Sequence, residues 1–277
     1  MGKIFDALEK ANAGEELPIS AKNFSEPIKR REPLIPFDRL LKGTDLADHD
    51  RKIDENIITY SAPDSMEAEQ FKMLRTSILF PISGKTPRTI LVTSATPGEG
   101  KSFVSSNLAV SIARNINEHV LLIDCDLRKP CIHQRFGYGR AQGLSEYLNH
   151  KVDLPDIILK TGIEKLSILP GGSIPDNPSE LLSSDNMAKL LVEVKERYED
   201  RIIILDSPPP RLTAETNVIA RQVDGILLVV KCGATNRELV AGITEKLGKD
   251  KILGVVFNWF DAKFSSYYGY GYGKYGK

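Results

Sequence analysis

The residues best suited to chemistry lie between Ala95 and Ser102, in the run Ala-Thr-Pro-Gly-Glu-Gly-Lys-Ser. Its glycines let backbone N–H groups approach a ligand closely and adopt dihedrals closed to other residues. N–H groups in such a loop, running into a helix N-terminus, surround a phosphate with donors. The spacing fits the P-loop pattern, with Ala95 where the first glycine stands. On that reading Thr96, Pro97, Gly98, Glu99, Gly100, Lys101, Ser102 and Phe103 form the nucleotide-contacting stretch for ATP. Lys101 reaches the β- and γ-phosphates, and the Ser102 hydroxyl binds Mg²⁺.

Three carboxylates extend the set. Asp124 and Asp126 close Leu121-Leu-Ile-Asp-Cys-Asp, and Asp206 closes Ile202-Ile-Ile-Leu-Asp. They end apolar runs, which places them at the C-terminal edge of a sheet, where open α/β folds bind ligands. One such aspartate alone is as easily a helix cap or a turn residue. Three of them beside a Gly-Lys-Ser ending point to a nucleotide–metal centre. Phosphoryl transfer needs this inventory: phosphate donors, Mg²⁺ ligands and a carboxylate to orient or deprotonate the acceptor.

Elements must hold these residues in place. Thr89–Thr93, Val120–Asp124, Leu166–Leu169, Arg201–Asp206, Gly225–Lys231 and Lys251–Phe257 read as strands. They are near-continuous Ile, Leu and Val runs, as in a parallel sheet buried on both faces. Helical patterns occupy Ser65–Phe80, Lys101–Asn115, Asn186–Tyr198 and Arg237–Leu247. The alternation implies right-handed βαβ units, hence an α/β, P-loop NTPase-like fold with a mostly parallel sheet flanked by helices. Ile4, Phe5, Leu8 and Ala11 share one helical face, so residues 1–11 read as a short helix. Residues 12–56, rich in charge and proline, read as a disordered linker. The expected organisation is residues 1–56 as helix and linker, 57–263 as the catalytic domain and 264–277 as a tail.

Composition sets limits on function. The chain has 277 residues, with 37 basic against 37 acidic side chains, so bulk electrostatic binding of nucleic acid is not expected. Three cysteines without CxxC spacing fit a reducing cytoplasm, and four scattered histidines argue against a His-based site. No secretory signal or run of roughly 20 apolar residues is present. One excess stands out. Five of nine tyrosines, Tyr267, Tyr268, Tyr270, Tyr272 and Tyr275, fall in the last eleven residues. Even spreading would put about 0.4 there.

As a set, these motifs resemble the bacterial tyrosine kinases, the autokinases of capsular and exopolysaccharide systems. The likeness covers roughly residues 60–277. It rests on Asp124-Cys-Asp126-Leu-Arg128-Lys-Pro, Gly143-Leu-Ser-Glu-Tyr-Leu148, Pro175-Asp-Asn-Pro-Ser-Glu-Leu-Leu182, Asp206-Ser-Pro-Pro209 and the terminal tyrosines. The opening MGKIFDALEKA is similar to autokinases found beside exopolysaccharide and exosortase loci. The resemblance implies that Lys101, Ser102, Asp124, Asp126 and Asp206 form the ATP–Mg²⁺ centre. It makes one of the aspartates at 124 and 126 the acceptor's base, with Asp124 favoured. Arg128 then supports the phosphates or a neighbouring subunit. Asn258 is read as an adenine contact or as a plain strand-ending residue. The same likeness implies a ring-shaped homo-oligomer, an octamer being one size it allows, joined through Glu69, Lys72 and Arg75. Lys72 there replaces an arginine and loses the bidentate fork.

The tail is expected to carry the autophosphorylation sites, reaching a neighbour's active site in trans. A membrane activator of the chain-length-determinant class and a phosphotyrosine phosphatase complete the implied partners. The expected location is the cytoplasm, recruited to the inner membrane face through that activator, with residues 1–11 as a docking helix. Two alternatives stay open: a partition-type ATPase switch, whose signature lysine is replaced here by Thr96, and a nucleotide-binding regulatory scaffold.

Overall fold

In the central strands, side chains alternate between two apolar layers, and this decides the architecture. The computed structural model describes residues 52–197, 201–210 and 214–260. The expected N-terminal helix, residues 12–51 of the expected linker and the tyrosine tail lie outside the described residues.

The helices and strands are α1 Ile58–Ser61, α2 Met66–Leu79, β1 Thr89–Ser94, α3 Lys101–Ala113, β2 His119–Asp124, α4 Ile132–Arg135, α5 Leu144–Leu148 and α6 Leu154–Ile157. They continue as β3 Leu159–Lys160, β4 Leu166–Leu169, α7 Pro178–Leu182, α8 Asp185–Arg197, β5 Arg201–Asp206, α9 Glu215–Gln222, β6 Gly225–Lys231, α10 Arg237–Leu247 and β7 Ile252–Asn258. The sheet runs β3-β4-β2-β5-β1-β6-β7. Every neighbouring pair is parallel except β3 with β4.

A strand sends successive side chains to opposite faces. Leu91, Leu121, Ile203 and Leu228 therefore enter one layer, covered by α8, α9 and α10 through Leu190, Ile219 and Ile243. Ile90, Leu122, Ile204 and Val229 enter the other, covered by α2 and α3 through Phe71, Leu108 and Ile112. Helix α3 is buried almost all round, as its apolar and small residues require.

The six strands expected from apolar runs are present, within a residue at each end. Strand β3, α1, the one-turn helices α4–α7 and helix α9 did not stand out, because segments this short or this polar carry little periodic signal. The packed body also begins ahead of residue 57. Ile57 is fully buried, the Asp54 N–H donates to the Arg135 carbonyl, and the Asn107 side chain donates to the Asn56 carbonyl.

Candidate active site

The loop after β1 is held open by its own residues. Gly98 and Gly100 have φ of 79° and 96°, the left-handed region. At Gly100 a Cβ would lie 2.0 Å from Asn258 Nδ2, so glycine is required for space as well as for dihedral. Glu99 is buried inside the loop: its Oε2 accepts from the Thr96 N–H at 2.8 Å, and its Oε1 accepts from the Thr235 hydroxyl. Asn258 Nδ2 donates to the Glu99 carbonyl at 2.8 Å. Thus Asn258 touches the loop backbone directly, a contact that neither reading of its role in the sequence included. The N–H groups of Lys101, Ser102 and Phe103 open helix α3 and lack acceptors one turn earlier, as at any helix start. The Phe103 ring packs edge-on against Phe71, centroids 5.8 Å apart, so only its backbone is available to phosphate.

The carboxylates converge because β2 and β5 are neighbours in register, Asp124 opposite Asp206. Ser102 Oγ donates to Asp206 Oδ2 at 2.6 Å. Asp206 Oδ1 is buried with no hydrogen-bond partner among the described residues. Burial raises the Asp206 pKa, and the Ser102 hydrogen bond and the Lys101 charge only partly offset this. Asp124 is wholly buried. Its carboxylate accepts from the N–H groups of Cys131, Ile132 and Asp126 at 2.8, 3.0 and 3.2 Å. Burial, then the charge of Asp206, pushes its pKa up. Asp126 is half-buried on the wall of the open cavity; burial raises its pKa, countered by Lys101. Both oxygens of Asp124 fasten the loop that follows β2, and Asp126 lines the open cavity.

That space is a cavity of about 1280 Å³, larger than most single-ligand sites. Pro97, Gly98, Lys101, Ser102 and Asp126 line its phosphate-loop side. Arg128, Lys129, His133, Arg140, Gln142 and Glu146 line the rest. Arg128 is positioned from two distant elements. Its Nη2 donates to Ser179 Oγ at 3.0 Å, and its Nε lies 3.5 Å from Glu215 Oε1. Ser179 Oγ in turn donates to Glu215 Oε2 at 2.9 Å. Glu215, Ser179, Thr235 and His133 were missed as site residues. Only Ser179 had a signal, as part of the family-like segment before Leu182.

The set fits a divalent cation. The buried, unpartnered Asp206 oxygen beside the Ser102 hydroxyl is a ready anionic ligand. Two opposed buried carboxylates gain from a positive charge between them. Mg²⁺ takes few protein ligands and completes its shell with phosphate oxygens and water. Accordingly no cluster of three or more His, Cys, Asp or Glu forms a protein cage among the described residues.

The face expected to join subunits is used within the subunit as well. Lys72 pairs with Glu69 at 3.0 Å, and Arg75 donates to the Ser111 carbonyl at 3.0 Å. Tyr138 donates to the Lys160 carbonyl and Tyr147 packs on the core. No helix among the described residues is long and apolar enough to cross a membrane.

Known proteins share this arrangement. A family model described as an AAA domain matches residues 87–249. Tyrosine-protein kinase YwqD of Bacillus subtilis is 36% identical over 221 residues, covering 79% of this chain and 92% of that protein. The solved kinase domain of Escherichia coli tyrosine kinase ETK matches with a TM-score of 0.68 at 32% identity, over 81% of this chain and 87% of that one. The chimerical protein CapA2B2 matches with a TM-score of 0.66 at 33% identity, over 74% and 91%. With a phosphate loop, a serine–aspartate pair and an open acceptor side in one cavity, the chain belongs to the bacterial tyrosine-protein kinases and is a protein-tyrosine kinase on a P-loop fold.

Proposed function

We propose that this kinase is an autokinase of an exopolysaccharide or capsule system, moving the γ-phosphoryl group of ATP onto Tyr267, Tyr268, Tyr270, Tyr272 and Tyr275 of a neighbouring copy. The observation that carries the reading is the Ser102–Asp206 pair, beside the phosphate loop and at the edge of a cavity with room for both nucleotide and peptide. Five tyrosines near one end of the same chain supply the acceptor.

In this reading Lys101 and the first-turn N–H groups of α3 hold the β- and γ-phosphates. Ser102 and Asp206, near Asp126, would hold Mg²⁺, which would supply positive charge against the phosphate oxygens. The acceptor phenol donates its hydrogen bond to Asp126. As the bond from γ-phosphorus to the bridging oxygen breaks, a new bond forms to the tyrosine oxygen, and the phenol proton passes to Asp126. A phenol with pKa near 10 is poorly matched to a carboxylate base, so orientation contributes more than proton removal. Asn258 and Glu99 keep the loop in shape, and Arg128 is aimed by Ser179 and Glu215. Copies assemble through the Glu69, Lys72 and Arg75 face. A membrane activator of the chain-length-determinant class recruits the protein to the inner membrane face, and a phosphotyrosine phosphatase resets it.

Purified protein incubated with Mg-ATP is expected to gain phosphotyrosine within residues 267–275 by mass spectrometry, and Lys101→Met is expected to gain none. ATP hydrolysis without phosphotyrosine would instead support a partition-type switch. Nucleotide binding without either activity, in the presence of the membrane activator, would support a regulatory scaffold.

A further inference from the structure

The acceptor side of the cavity is cationic, and the segment expected to enter it is cationic too. Arg128, Lys129 and Arg140 line the wall beyond the phosphate loop. Besides Asp126 on the phosphate-loop side, Glu146 is the carboxylate lining the cavity. It is already engaged, accepting from the Gly143 N–H at 2.8 Å, the Ser173 N–H at 3.1 Å and the Ser173 hydroxyl. No carboxylate pairs with the Lys129 ammonium or the Arg140 guanidinium among the described residues, although the Lys129 N–H donates to Asp126 Oδ1 at 3.3 Å, whereas Glu215 holds Arg128. His133, only 8% exposed, lines the same wall with its buried Nδ1 lacking a partner. From Ala262 to Lys277 the chain carries three lysines and no Asp or Glu. Like charges on both sides oppose binding of the unmodified tail, so this wall is not built for the first acceptor.

One phosphate changes the sign of the match. A phosphotyrosine carries about −1.5 to −2 and three strong acceptor oxygens, the chemistry that arginine and lysine clusters recognise. We propose that Lys129 and Arg140, beside His133, form a phosphotyrosine subsite, separate from the ATP γ-phosphate position, that retains a tail already modified once. The subsite makes modification of the remaining tyrosines processive. In an extended peptide, residues two apart share a side and lie roughly 6–7 Å apart. Tyr268, Tyr270 and Tyr272 have that spacing, so one can be held while the next is presented. The inference rests on the tail being the acceptor.

The test uses the full chain with the five tail tyrosines replaced by phenylalanine, in Mg²⁺ and a non-hydrolysable ATP analogue. The probes are synthetic peptides of residues 264–277, unmodified or phosphorylated on Tyr270. Fluorescence anisotropy is expected to show at least tenfold tighter binding of the phosphorylated peptide. Lys129→Ala with Arg140→Ala, both surface side chains, is expected to abolish that preference and leave affinity for the analogue unchanged. Equal binding of the two peptides, a preference that survives the double substitution, or displacement of the analogue by the phosphopeptide would each overturn the subsite. A second readout follows the native tail by intact mass. Multiply phosphorylated chains are expected while unmodified chain remains, and the double variant is expected to fill its sites one at a time; filling that is stepwise in both overturns processivity. No phosphotyrosine at all would instead overturn the autokinase reading, an outcome the peptide-binding result does not share.

Discussion

Asp124 and Asp206 sit opposite each other with no solvent between them and the core, and this arrangement works against folding when no cation is bound. Because burial raises both folded pKa values above the ordinary 3.8, the folded chain keeps protons that the unfolded chain releases. The stability they contribute is fully present below about pH 4 and is lost as pH rises toward about 8. Asp206→Asn keeps the acceptor for Ser102 and removes one charge. Thermal unfolding in EDTA is expected to show the variant more stable than the parent at pH 8, by about 2–4 °C per kcal/mol, with little difference near pH 4. Kinase activity is expected to be lost in the same variant. An equal shift at both pH values would contradict the electrostatic origin. At this scale the sequence displayed which side chains bear chemistry, because loop, lysine, serine and aspartates follow spacings that have a mechanism. Their division of labour was hidden. Asp124 is tied down by backbone N–H groups seven and eight residues later, and Arg128 by a glutamate 87 residues away; neither contact leaves a period or a motif.

Strands were the most legible elements, since a strand buried on both faces is a short unbroken apolar run whatever its neighbours. The wall opposite the phosphate loop was not, because it is made of one-turn helices and loops placed by tertiary contacts. Helix α2 lies between these cases: its extent was readable, yet the contacts its polar face makes within the subunit were not. Arg75 bonds a carbonyl of the last turn of α3, a position that favours a cation, while Lys72 reaches only Glu69 on its own helix. Arg75→Ala is therefore expected to lower stability by about 1 kcal/mol even in an isolated subunit. Lys72→Ala is expected to stay within about 0.5 kcal/mol of the parent. Denaturant melts at low protein concentration check both. Sedimentation at high concentration then reports, through Lys72→Ala alone, what this face contributes to assembly.

Across the whole molecule, formal neutrality describes only the unmodified chain. Five phosphotyrosines would shift it by roughly −8 to −10. Such a change, gathered on one segment, is expected to loosen a ring whose subunits exchange tails. Native mass spectrometry before and after ATP treatment should show smaller assemblies at high phosphate occupancy, and an unchanged size would contradict the charge mechanism. The clasp at Glu99 adds a mechanical side to this exchange. Thr235 and Asn258 grip the glutamate of the phosphate loop, one from the turn before α10 and the other from the end of β7. Two residues after Asn258 the described body ends and the tail segment follows. The nucleotide loop thus shares an anchor with the end of strand β7. On the proposed reaction in trans, any load a neighbour placed on the segment after β7 would fall on the Asn258 contact with the subunit's own phosphate loop.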